Sequence, residues 1–326
     1  MAVLGIESSA HTFGMGIANN GKIIANEKEM FPISDKGLIP MKVAEFHAKN
    51  ARKLLNRTLK MAGMEIEDLD GIGYTMGPGL GPCLDVGRVA ATTLSQLYSL
   101  PIFPVNHALA HIEIARILNS FSDPVALYVS GGNSQILAYN KQLKKYQVYG
   151  ETFDIGIGNM FDSFAKAMHL KPAWGSSVAK LALDGKYIAM PYTVKGMDFA
   201  FTGLLTNSID KVQSGMNEKD VAFSLQENAF AMLCEATERA LMLLKKKELE
   251  VCGGVAQSTR LKEMLRLMAK EHGIRFGCAE DEYNADNGAM IAVVAEEMQK
   301  AGMKFTLGDC TVNQKYRIDN VRIEWR

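Results

Sequence analysis

The sequence lacks an excess of charge of either sign and a long hydrophobic run. Its 36 basic and 36 acidic side chains give a formal net charge of zero, which excludes a strongly basic nucleic-acid-binding protein but leaves room for a local basic patch. No segment reaches the roughly 18 uninterrupted apolar residues that a membrane-spanning helix requires, so we expect no membrane partner. The N-terminus has no basic segment before its first apolar run, and we therefore expect no secretory signal.

Cysteine is also scarce, and the chain contains no CxxC pair. The five cysteines are scattered along the sequence, a pattern that disfavours a cysteine-based zinc site. An odd and dispersed set is typical of reduced thiols, so we expect a cytoplasmic protein. These residues are Cys83, Cys234, Cys252, Cys278 and Cys310.

The rest of the composition is that of an ordinary globular protein. Hydrophobic residues make up 48% and charged residues 22% of the 326 positions, a balance that excludes a disordered chain. At roughly 150 residues per domain, this length predicts two domains. We place them at 1–123 and 124–326 and leave open whether a C-terminal helix at 286–301 and the following tail return to the first domain.

One pattern of strands and turns occurs twice. Strands predicted at 3–6 and 13–18 flank a turn of small residues, and strands at 125–129 and 135–139 flank a second such turn. Alone, each turn is better explained as a tight hairpin. Because small residues let backbone N–H groups approach phosphate oxygens, the pair predicts two phosphate-facing turns in duplicated units. The second turn consists of Ser130, Gly131, Gly132 and Asn133.

The remaining chain alternates helical and extended patterns, which favours an α/β fold with two similar lobes. In the first predicted helix, at 40–62, alanines and leucines at 44, 48, 51, 55 and 59 are expected to share one face. The other predicted helices are at 86–97, 159–169, 177–184, 218–246, 258–272 and 286–301, and the other strands are at 22–27, 69–74, 102–105, 249–252 and 274–276.

His107 and His111 are the sharpest local signal for chemistry. They lie four residues apart in a helical stretch, a spacing that puts both imidazoles on one helix face, where they can bind one metal ion. A metallopeptidase would need Glu directly after the first histidine, and Ala108 occupies that position. The alternative is a pair of histidines packed at a domain junction.

Two residues far along the chain are candidates for further ligands. Asp286 opens the last predicted helix, where it could equally be an N-cap carboxylate. Tyr128 precedes the second turn, and its alternative is a buried core residue of a strand. A set of two His, one Tyr and one Asp would be harder than a typical zinc site and would suit iron.

Weaker signals lie in two glycine loops and in the tail. The pair Gly253 and Gly254 precedes a helix and can admit an adenine ring or a phosphate. The loop 156–159 is similar, and Asp162 after it can contact a ribose or stabilise a helix dipole. The tail 313–326 carries four basic side chains, and it either contacts RNA or is a solvated end.

These motifs resemble, over nearly the whole chain, those of the Kae/TsaD/Qri family within the actin, sugar-kinase and Hsp70-like superfamily. Two segments, VNHALAHIEIAR around the two histidines and KGMDFAFTGLLT beginning at residue 195, are similar to those of the archaeal and eukaryotic branch of the family, the catalytic subunit of the KEOPS complex. In chain order the motifs are GIESSAHTFG, GPGLGPCLDVG, VNHALAHIEIAR, LYVSGGNSQ, GETFDIGIGNMFDSFA, KGMDFAFTGLLT, SLQENAFAMLCEATERAL, GGVAQSTRL and DNGAMIA.

The resemblance implies two actin/Hsp70-like (RNase H-like) lobes around a nucleotide cleft and a metal-dependent tRNA N6-adenosine threonylcarbamoyltransferase. The donor would be threonylcarbamoyl-AMP, and the acceptor would be the adenosine next to the anticodon of ANN-decoding tRNAs. Implied partners are tRNA, a Bud-type kinase or ATPase on a separate polypeptide, a Pcc-type dimerising subunit and a Cgi-type subunit.

The resemblance also implies roles for individual residues. The positions of one divalent metal, iron, would be His107, His111, Tyr128 and Asp286, and those of adenine nucleotide (threonylcarbamoyl-AMP or ATP) would be Tyr128, Val129, Ser130, Gly131, Gly132, Asn133, Asp162, Gly175 and Ser258. The chain departs from the family at Ala179, where a ribose-binding carboxylate is usual, and at Ser258, where Asn is usual. We therefore expect weaker binding of adenine nucleotide than in relatives with the full motif.

Two other functions are compatible with the sequence. A metabolite kinase or ATPase of the same superfamily would need a pair of magnesium-binding carboxylates in the two turns, and only Glu7 beside the first turn supplies one. A non-catalytic scaffold within the KEOPS complex would be favoured if the nucleotide site has degenerated.

Overall fold

The computed structural model describes residues 1–32 and 38–326. The described residues form twelve β-strands and ten α-helices. The strands are β1 (Ala2–Glu7), β2 (Thr12–Asn19), β3 (Lys22–Met30), β4 (Gly71–Gly77), β5 (Ile102–Asn106), β6 (Val125–Val129), β7 (Ser134–Asn140), β8 (Lys145–Glu151), β9 (Val194–Lys195), β10 (Asp198–Phe199), β11 (Glu248–Cys252) and β12 (Arg275–Cys278). The helices are α1 (Pro40–Ala62), α2 (Gly81–Tyr98), α3 (His107–Leu118), α4 (Ile157–Ala167), α5 (Gly175–Ala182), α6 (Thr202–Gln213), α7 (Glu218–Leu244), α8 (Thr259–Glu271), α9 (Asp281–Asn284) and α10 (Gly288–Lys300).

The chain divides into two compact units. The first comprises Met1–Ile117, Asn140–Lys145 and Ala285–Arg326, and the second comprises Leu118–Tyr139 and Tyr146–Asn284. This division assigns α10 and all later residues to the first unit.

Each unit is built on a five-stranded sheet, and the two sheets share one topology. The order is β3-β2-β1-β4-β5 in the first unit and β8-β7-β6-β11-β12 in the second. In both, the first two strands of the unit pair antiparallel, and the last two strands of the sheet join the first in parallel. The predicted α/β class and repeated strand pattern are therefore confirmed.

Glycines let α10 lie directly on β1 and β2 in the first unit. A Cβ atom built on Gly5 would be 2.2 Å from the backbone N of Ala292, and one on Gly16 would be 2.4 Å from the backbone N of Ala289. No side chain fits between backbones at this separation. The first turn of α10 is therefore fixed over the middle of the sheet, and Asp286, two residues before the helix, is positioned with it.

The second unit has its core between its sheet and the long helix α7. Leu225, Leu233 and Leu241 of α7 are completely buried, and the helix packs against α5, α6 and α8. The core continues into α4, where Phe161 packs edge-on against Phe230 of α7 with ring centroids 5.6 Å apart.

The buried face of α1 agrees with the predicted one only in part. The helix buries Ala44 and Leu59 of the predicted stripe together with Val43, His47 and Leu54, whereas Ala48 of that stripe is exposed. The cause is His47, whose ring stacks on Phe13 of β2 with centroids 4.9 Å apart and planes at 22°. The sequence pattern treated this histidine as polar and therefore placed the apolar face on the alanines.

Two further differences have local causes. Helix α2 begins at Gly81, five residues before the predicted start at 86, because Pro82 in a first turn needs no N–H partner. Helix α6 was not predicted. Its N-terminus is capped by Asp154, which accepts hydrogen bonds from the backbone N of Phe201 (2.9 Å) and Thr202 (2.8 Å). This residue lies 48 positions before Thr202, so the sequence near α6 does not show the cap.

Among the helices of the described residues, none is long and apolar enough to cross a membrane.

We predict that His47 makes folding sensitive to mild acid. Burial lowers the pKa of His47 from 6.5 to about 4, so between these values the unfolded chain binds a proton that the folded chain does not. The stabilisation from the neutral ring is complete above about pH 6.5 and falls as the pH decreases, by about 2 kcal/mol at pH 5. Urea denaturation at pH 8 and pH 5 should show this loss in the wild type and a smaller loss in His47→Leu. Equal losses in the two proteins would contradict the prediction.

Candidate metal centre

Three candidate ligands converge in the first unit. Asp286 Oδ1 lies 3.3 Å from His111 Nε2 and 3.6 Å from His107 Nε2. The two imidazoles are nearly perpendicular, with centroids 4.7 Å apart and an interplanar angle of 86°. One ligand atom from each residue lies within 4.8 Å of the others, so a single ion can contact all three side chains.

Two asparagine caps explain why these residues meet. Asn106 Oδ1 accepts a hydrogen bond from the backbone N of Leu109 at 3.0 Å, so α3 begins at His107 and its i, i+4 histidines share one face. At α10 the cap is Asn287, whose Oδ1 accepts from the backbone N of Met290 at 3.0 Å. The alternative interpretation of Asp286 as the N-cap is therefore wrong, and its carboxylate is available to the histidines.

Glu7, at the end of β1, orients His107. Its side chain is fully buried, and its Oε2 lies 3.0 Å from His107 Nδ1. The same carboxylate accepts hydrogen bonds from Thr75 Oγ1 at 2.7 Å and from the backbone N of Ser9 at 2.6 Å. Because Nδ1–H donates to Glu7, Nε2 of His107 faces Asp286. A carboxylate on the far nitrogen of a histidine ligand is the usual outer support of a metal site.

Electrostatics makes the cluster suited to a cation. Burial lowers the pKa of His107, but the charge and hydrogen bond of Glu7 outweigh burial and raise that pKa to about 9. Burial raises the pKa of Asp286, yet the hydrogen bond from His111 and the charge of His107 hold it below its ordinary value. Burial lowers the pKa of His111, which stays neutral. At neutral pH two carboxylates therefore face one imidazolium, a charge balance that favours replacement of the proton on His107 Nε2 by a cation.

The donor set fits a divalent transition metal. Two imidazole nitrogens and one carboxylate oxygen are ligands for iron, manganese and zinc alike. Tyr128, the fourth predicted ligand, lies in β6 of the second unit and is almost completely buried.

The second predicted turn lies in the second unit, directly after β6 and the buried Val129. Ser130 closes it: the backbone N of Ser130 donates to Asn133 O at 2.8 Å, and its Oγ accepts from the backbone N of Asn133 at 3.1 Å. Gly131 and Gly132 at the tip are exposed. The turn therefore presents backbone to solvent, as a phosphate-binding turn must.

The glycine loop at 156–159 supports this turn. The backbone N atoms of Gly158 and Asn159 donate to Ser130 O (3.2 Å) and Gly131 O (3.0 Å). A Cβ atom on Gly156 would lie 2.3 Å from Gly131 O, so only glycine permits this contact. The turn 130–133 and the loop 156–159 are separate motifs in the sequence, and in the structure backbone hydrogen bonds connect them at the N-terminus of α4.

The other predicted nucleotide residues also lie in the second unit. Asp162 Oδ1 accepts a hydrogen bond from the backbone N of Gly175 at 2.8 Å and thereby links α4 to α5. Ser258 caps α8, with its Oγ accepting from the backbone N of Leu261 at 3.4 Å. Gly253 has a positive φ of 94° and packs its backbone against Val129 O. These contacts give each residue a structural role, and their nucleotide roles stay a prediction.

Comparison with known families identifies the chain. A family model described as TsaD, tRNA N6-adenosine threonylcarbamoyltransferase, matches residues 21–293. The chain belongs to this family. The resemblance drawn from the sequence motifs is thereby confirmed.

Relatives match over the whole chain. A protein of Thermococcus kodakarensis named tRNA N6-adenosine threonylcarbamoyltransferase is 45% identical, with 100% of both chains covered. One of the same name from Encephalitozoon cuniculi is 43% identical over 100% of this chain and 99% of its own. A protein of Thermoplasma acidophilum, named a probable bifunctional tRNA threonylcarbamoyladenosine biosynthesis protein, is 44% identical, and this chain spans 61% of its length.

Solved structures of distant proteins support the fold. HypF from T. kodakarensis superposes with a TM-score of 0.63 at 14% identity, over 90% of this chain and 46% of that one. The activator of 2-hydroxyisocaproyl-CoA dehydratase from Clostridium difficile superposes with a TM-score of 0.54 at 11% identity, over 94% and 100% of the two chains. The predicted actin/Hsp70-like fold is confirmed by these likenesses.

Sequence reasoning missed Glu7 as part of the metal centre. It considered this residue only as a magnesium ligand of a kinase, because nothing in the sequence connects Glu7 with His107. The structure engages both oxygens of Glu7 with Ser9, Thr75 and His107.

We predict that Glu7→Gln weakens binding of Co²⁺ by 10- to 100-fold, the usual effect of losing an outer-shell partner. A single amide oxygen cannot accept the three hydrogen bonds that the carboxylate accepts, so His107 loses its fixed orientation. Calorimetric titration of the metal-free protein measures the affinity. Glu296→Gln is the matched control, because Glu296 is equally buried in the same unit and accepts from the backbone N of Gly21 at 3.0 Å. Undiminished affinity in Glu7→Gln, or equal loss in the control, would contradict the prediction.

Proposed function

We propose that this protein transfers a threonylcarbamoyl group to N6 of adenosine in tRNA. The observation that carries the proposal is the 45% identity, over the entire length of both chains, with a relative that bears this name. The donor is threonylcarbamoyl-AMP, and the acceptor is the adenosine beside the anticodon in ANN-decoding tRNAs. In this reaction the exocyclic amine forms a bond to the acyl carbon of the mixed anhydride, the bond from that carbon to the phosphate oxygen breaks, AMP leaves with the bonding electron pair, and the amine releases one proton.

The metal proposed for this site is one divalent ion, iron, held by His107, His111 and Asp286, with Tyr128 as the fourth ligand. Two buried imidazoles and a carboxylate whose pKa is held low support this assignment. When bound, such an ion acts as a Lewis acid that orients the donor and polarises its acyl group. Glu7 keeps His107 Nδ1 occupied, so Nε2 is the nitrogen that serves as ligand.

The nucleotide part of the donor is assigned to the second unit. The exposed backbone at Gly131 and Gly132 suits the phosphate, because successive backbone N–H groups of a turn can bind an oxyanion. Asn133, Asp162, Gly175 and Ser258 complete the proposed nucleotide site together with Tyr128 and Val129. Preorganised donors at the phosphate also stabilise the charge that develops as AMP departs.

A kinase of the same superfamily is less well supported. Its magnesium ion needs carboxylates in both turns, but Ser130, Gly131, Gly132 and Asn133 offer none. Glu7 is fully buried and already accepts three hydrogen bonds. A non-catalytic scaffold is the other alternative, and the transfer assay below distinguishes it from an enzyme.

The proposed partners are those of the KEOPS complex, namely a Bud-type kinase or ATPase, a Pcc-type dimerising subunit and a Cgi-type subunit, with tRNA as substrate. The name of the bifunctional relative supports a role in threonylcarbamoyladenosine biosynthesis alongside a second activity. We also propose a cytoplasmic location, which five cysteines without a disulfide support.

The decisive experiment is a transfer assay on the double variant His107→Ala, His111→Ala. With purified tRNA, threonylcarbamoyl-AMP and the partner subunits, we expect it to lose metal and at least about a hundredfold in activity, since a Lewis acid contributes several kcal/mol to such a reaction. Each single variant should lose nearly as much, because both rings serve one ion. His169→Ala, at an exposed histidine, is the control. Full activity in the metal-free double variant would contradict the metal-dependent mechanism.

A second prediction concerns nucleotide affinity. Ala179 is half-buried in α5, at the position where the family usually has a ribose-binding carboxylate. A carboxylate there makes charge-assisted hydrogen bonds, so Ala179→Glu should tighten ATP binding by about 1–3 kcal/mol, or roughly 5- to 150-fold. Ala179→Gln, which has the shape without the charge, should recover less. Calorimetric titration measures all three proteins. If the wild type already binds tightly and Ala179→Glu changes nothing, another carboxylate such as Asp162 serves the ribose.

A further inference from the structure

The C-terminal tail, residues 311–326, is a folded part of the first unit. Ile318, Val321 and Ile323 are buried, and the backbone N of Ile323 donates to Lys144 O at 2.8 Å. The basic side chains that suggested an RNA contact or a solvated end are mostly paired. Arg317 contacts Asp319, and Arg326 contacts Glu113. The described contacts therefore favour neither an RNA contact nor a solvated end for this segment.

The tail first contacts the residue directly before α3, its N-cap Asn106. Asn106 uses both ends of its amide: Oδ1 accepts from the backbone N of Leu109 at 3.0 Å, and Nδ2 donates to Tyr316 O at 2.8 Å. The N-cap of α3 is thus held by the tail, and His107 is the next residue.

A second contact lies two helical turns further on, at Glu113. This carboxylate is fully buried, and a buried charge is costly unless it is paired. Arg116 of the same helix forms a fork with it at 3.1 and 2.8 Å. The tail supplies two more partners, Trp325 Nε1, which donates at 3.0 Å, and the guanidinium of Arg326 at 3.6 Å.

The two contacts enclose the candidate metal ligands. Asn106 and Glu113 are seven residues apart, so they lie on one side of α3 and are separated by roughly 10 Å along its axis. His107 and His111 lie between them in sequence and point roughly 120° away around the helix, given 3.6 residues per turn. The tail can therefore fix the rotation and translation of α3 without occupying the metal-binding face.

We infer that the tail is a positioning segment for the metal centre, holding α3 at Asn106 and at Glu113 so that His107 and His111 stay in register with Asp286. The inference rests on the proposed metal site. A metal site needs its ligands within about 0.5 Å of the productive geometry, and a helix fixed at two points on one side meets this demand before the metal binds.

The test uses three variants of the full chain with Co²⁺ as the probe. Deletion of Trp325 and Arg326 removes the contact at Glu113, and Trp325→Phe removes one donor while retaining an aromatic ring. Asn106→Ser keeps a capping oxygen but removes the donor to Tyr316. Glu324→Gln is the matched control, because Glu324 pairs with Lys144 at 2.7 Å and lies on the same tail without contacting α3 in the described structure.

We expect the deletion and Asn106→Ser to weaken Co²⁺ binding about tenfold, in the range known for outer-shell partners, and Trp325→Phe to weaken it less. The visible spectrum of bound Co²⁺ should change, and amide exchange in α3 should accelerate at temperatures where circular dichroism shows every variant folded. Glu324→Gln should bind as the wild type does. The spectrum distinguishes positioning from a general loss of stability, which would not alter the ligand geometry.

Unchanged affinity and spectrum in a folded deletion variant and in Asn106→Ser would overturn the inference, as would an equal loss in Glu324→Gln. If the deletion variant does not fold, the Co²⁺ affinity and spectrum of Trp325→Phe and Asn106→Ser test the inference instead. His107→Ala is measured in parallel. If it binds Co²⁺ as tightly as the wild type, the assignment of the metal site itself fails, which is distinguishable from a failure of the tail alone.

Discussion

The direct contact of α10 with β1 and β2 determines where the candidate metal centre forms. Gly5 and Gly16 bring the helix backbone onto the strands without an intervening side chain. This contact carries Asp286 to His111, which lies 175 residues earlier in the sequence, and to His107 on the same helix. Any larger residue at either glycine would lift α10 from the sheet, and the carboxylate would move with it.

Burial then gives the centre its electrostatic character. Glu7, His107, His111 and Asp286 would be costly to bury singly, but as a group they offset one another. The carboxylates stay ionised because the imidazoles face them, and His107 holds its proton because Glu7 and Asp286 face it. The same imbalance, two negative charges against one positive, favours exchange of that proton for a divalent cation. The contacts that hold these four side chains in place are therefore the same contacts that favour binding of a divalent cation.

The two units share one strand order but carry different candidate sites. In the first, the last residue of β1, Glu7, lies behind His107, and the tail contacts both ends of the segment that carries this histidine. In the second, the turn after β6 has glycines at its tip and rests on the N-terminus of α4 through Gly156 and Gly158. The same strand order occurs in both units, but the first carries the candidate metal ligands on α3 and just before α10, and the second carries an exposed backbone turn directly after β6.

The sequence by itself determined the fold class, the repeated strand pattern, the family and the pair of histidines, because each depends on local spacing or on motifs in order. The tertiary structure decided which distant residues join them. Nothing near His107 in sequence indicates Glu7, and the choice between capping and ligation at Asp286 depended on Asn287 serving as the cap of α10. The predicted apolar face of α1 was wrong at Ala48, which is exposed, because its neighbour His47 packs as an apolar ring against Phe13. The sequence suggested an RNA contact or a solvated end for the tail because the partner of Trp325 and Arg326, the Glu113 carboxylate, is brought to them only by the folded chain.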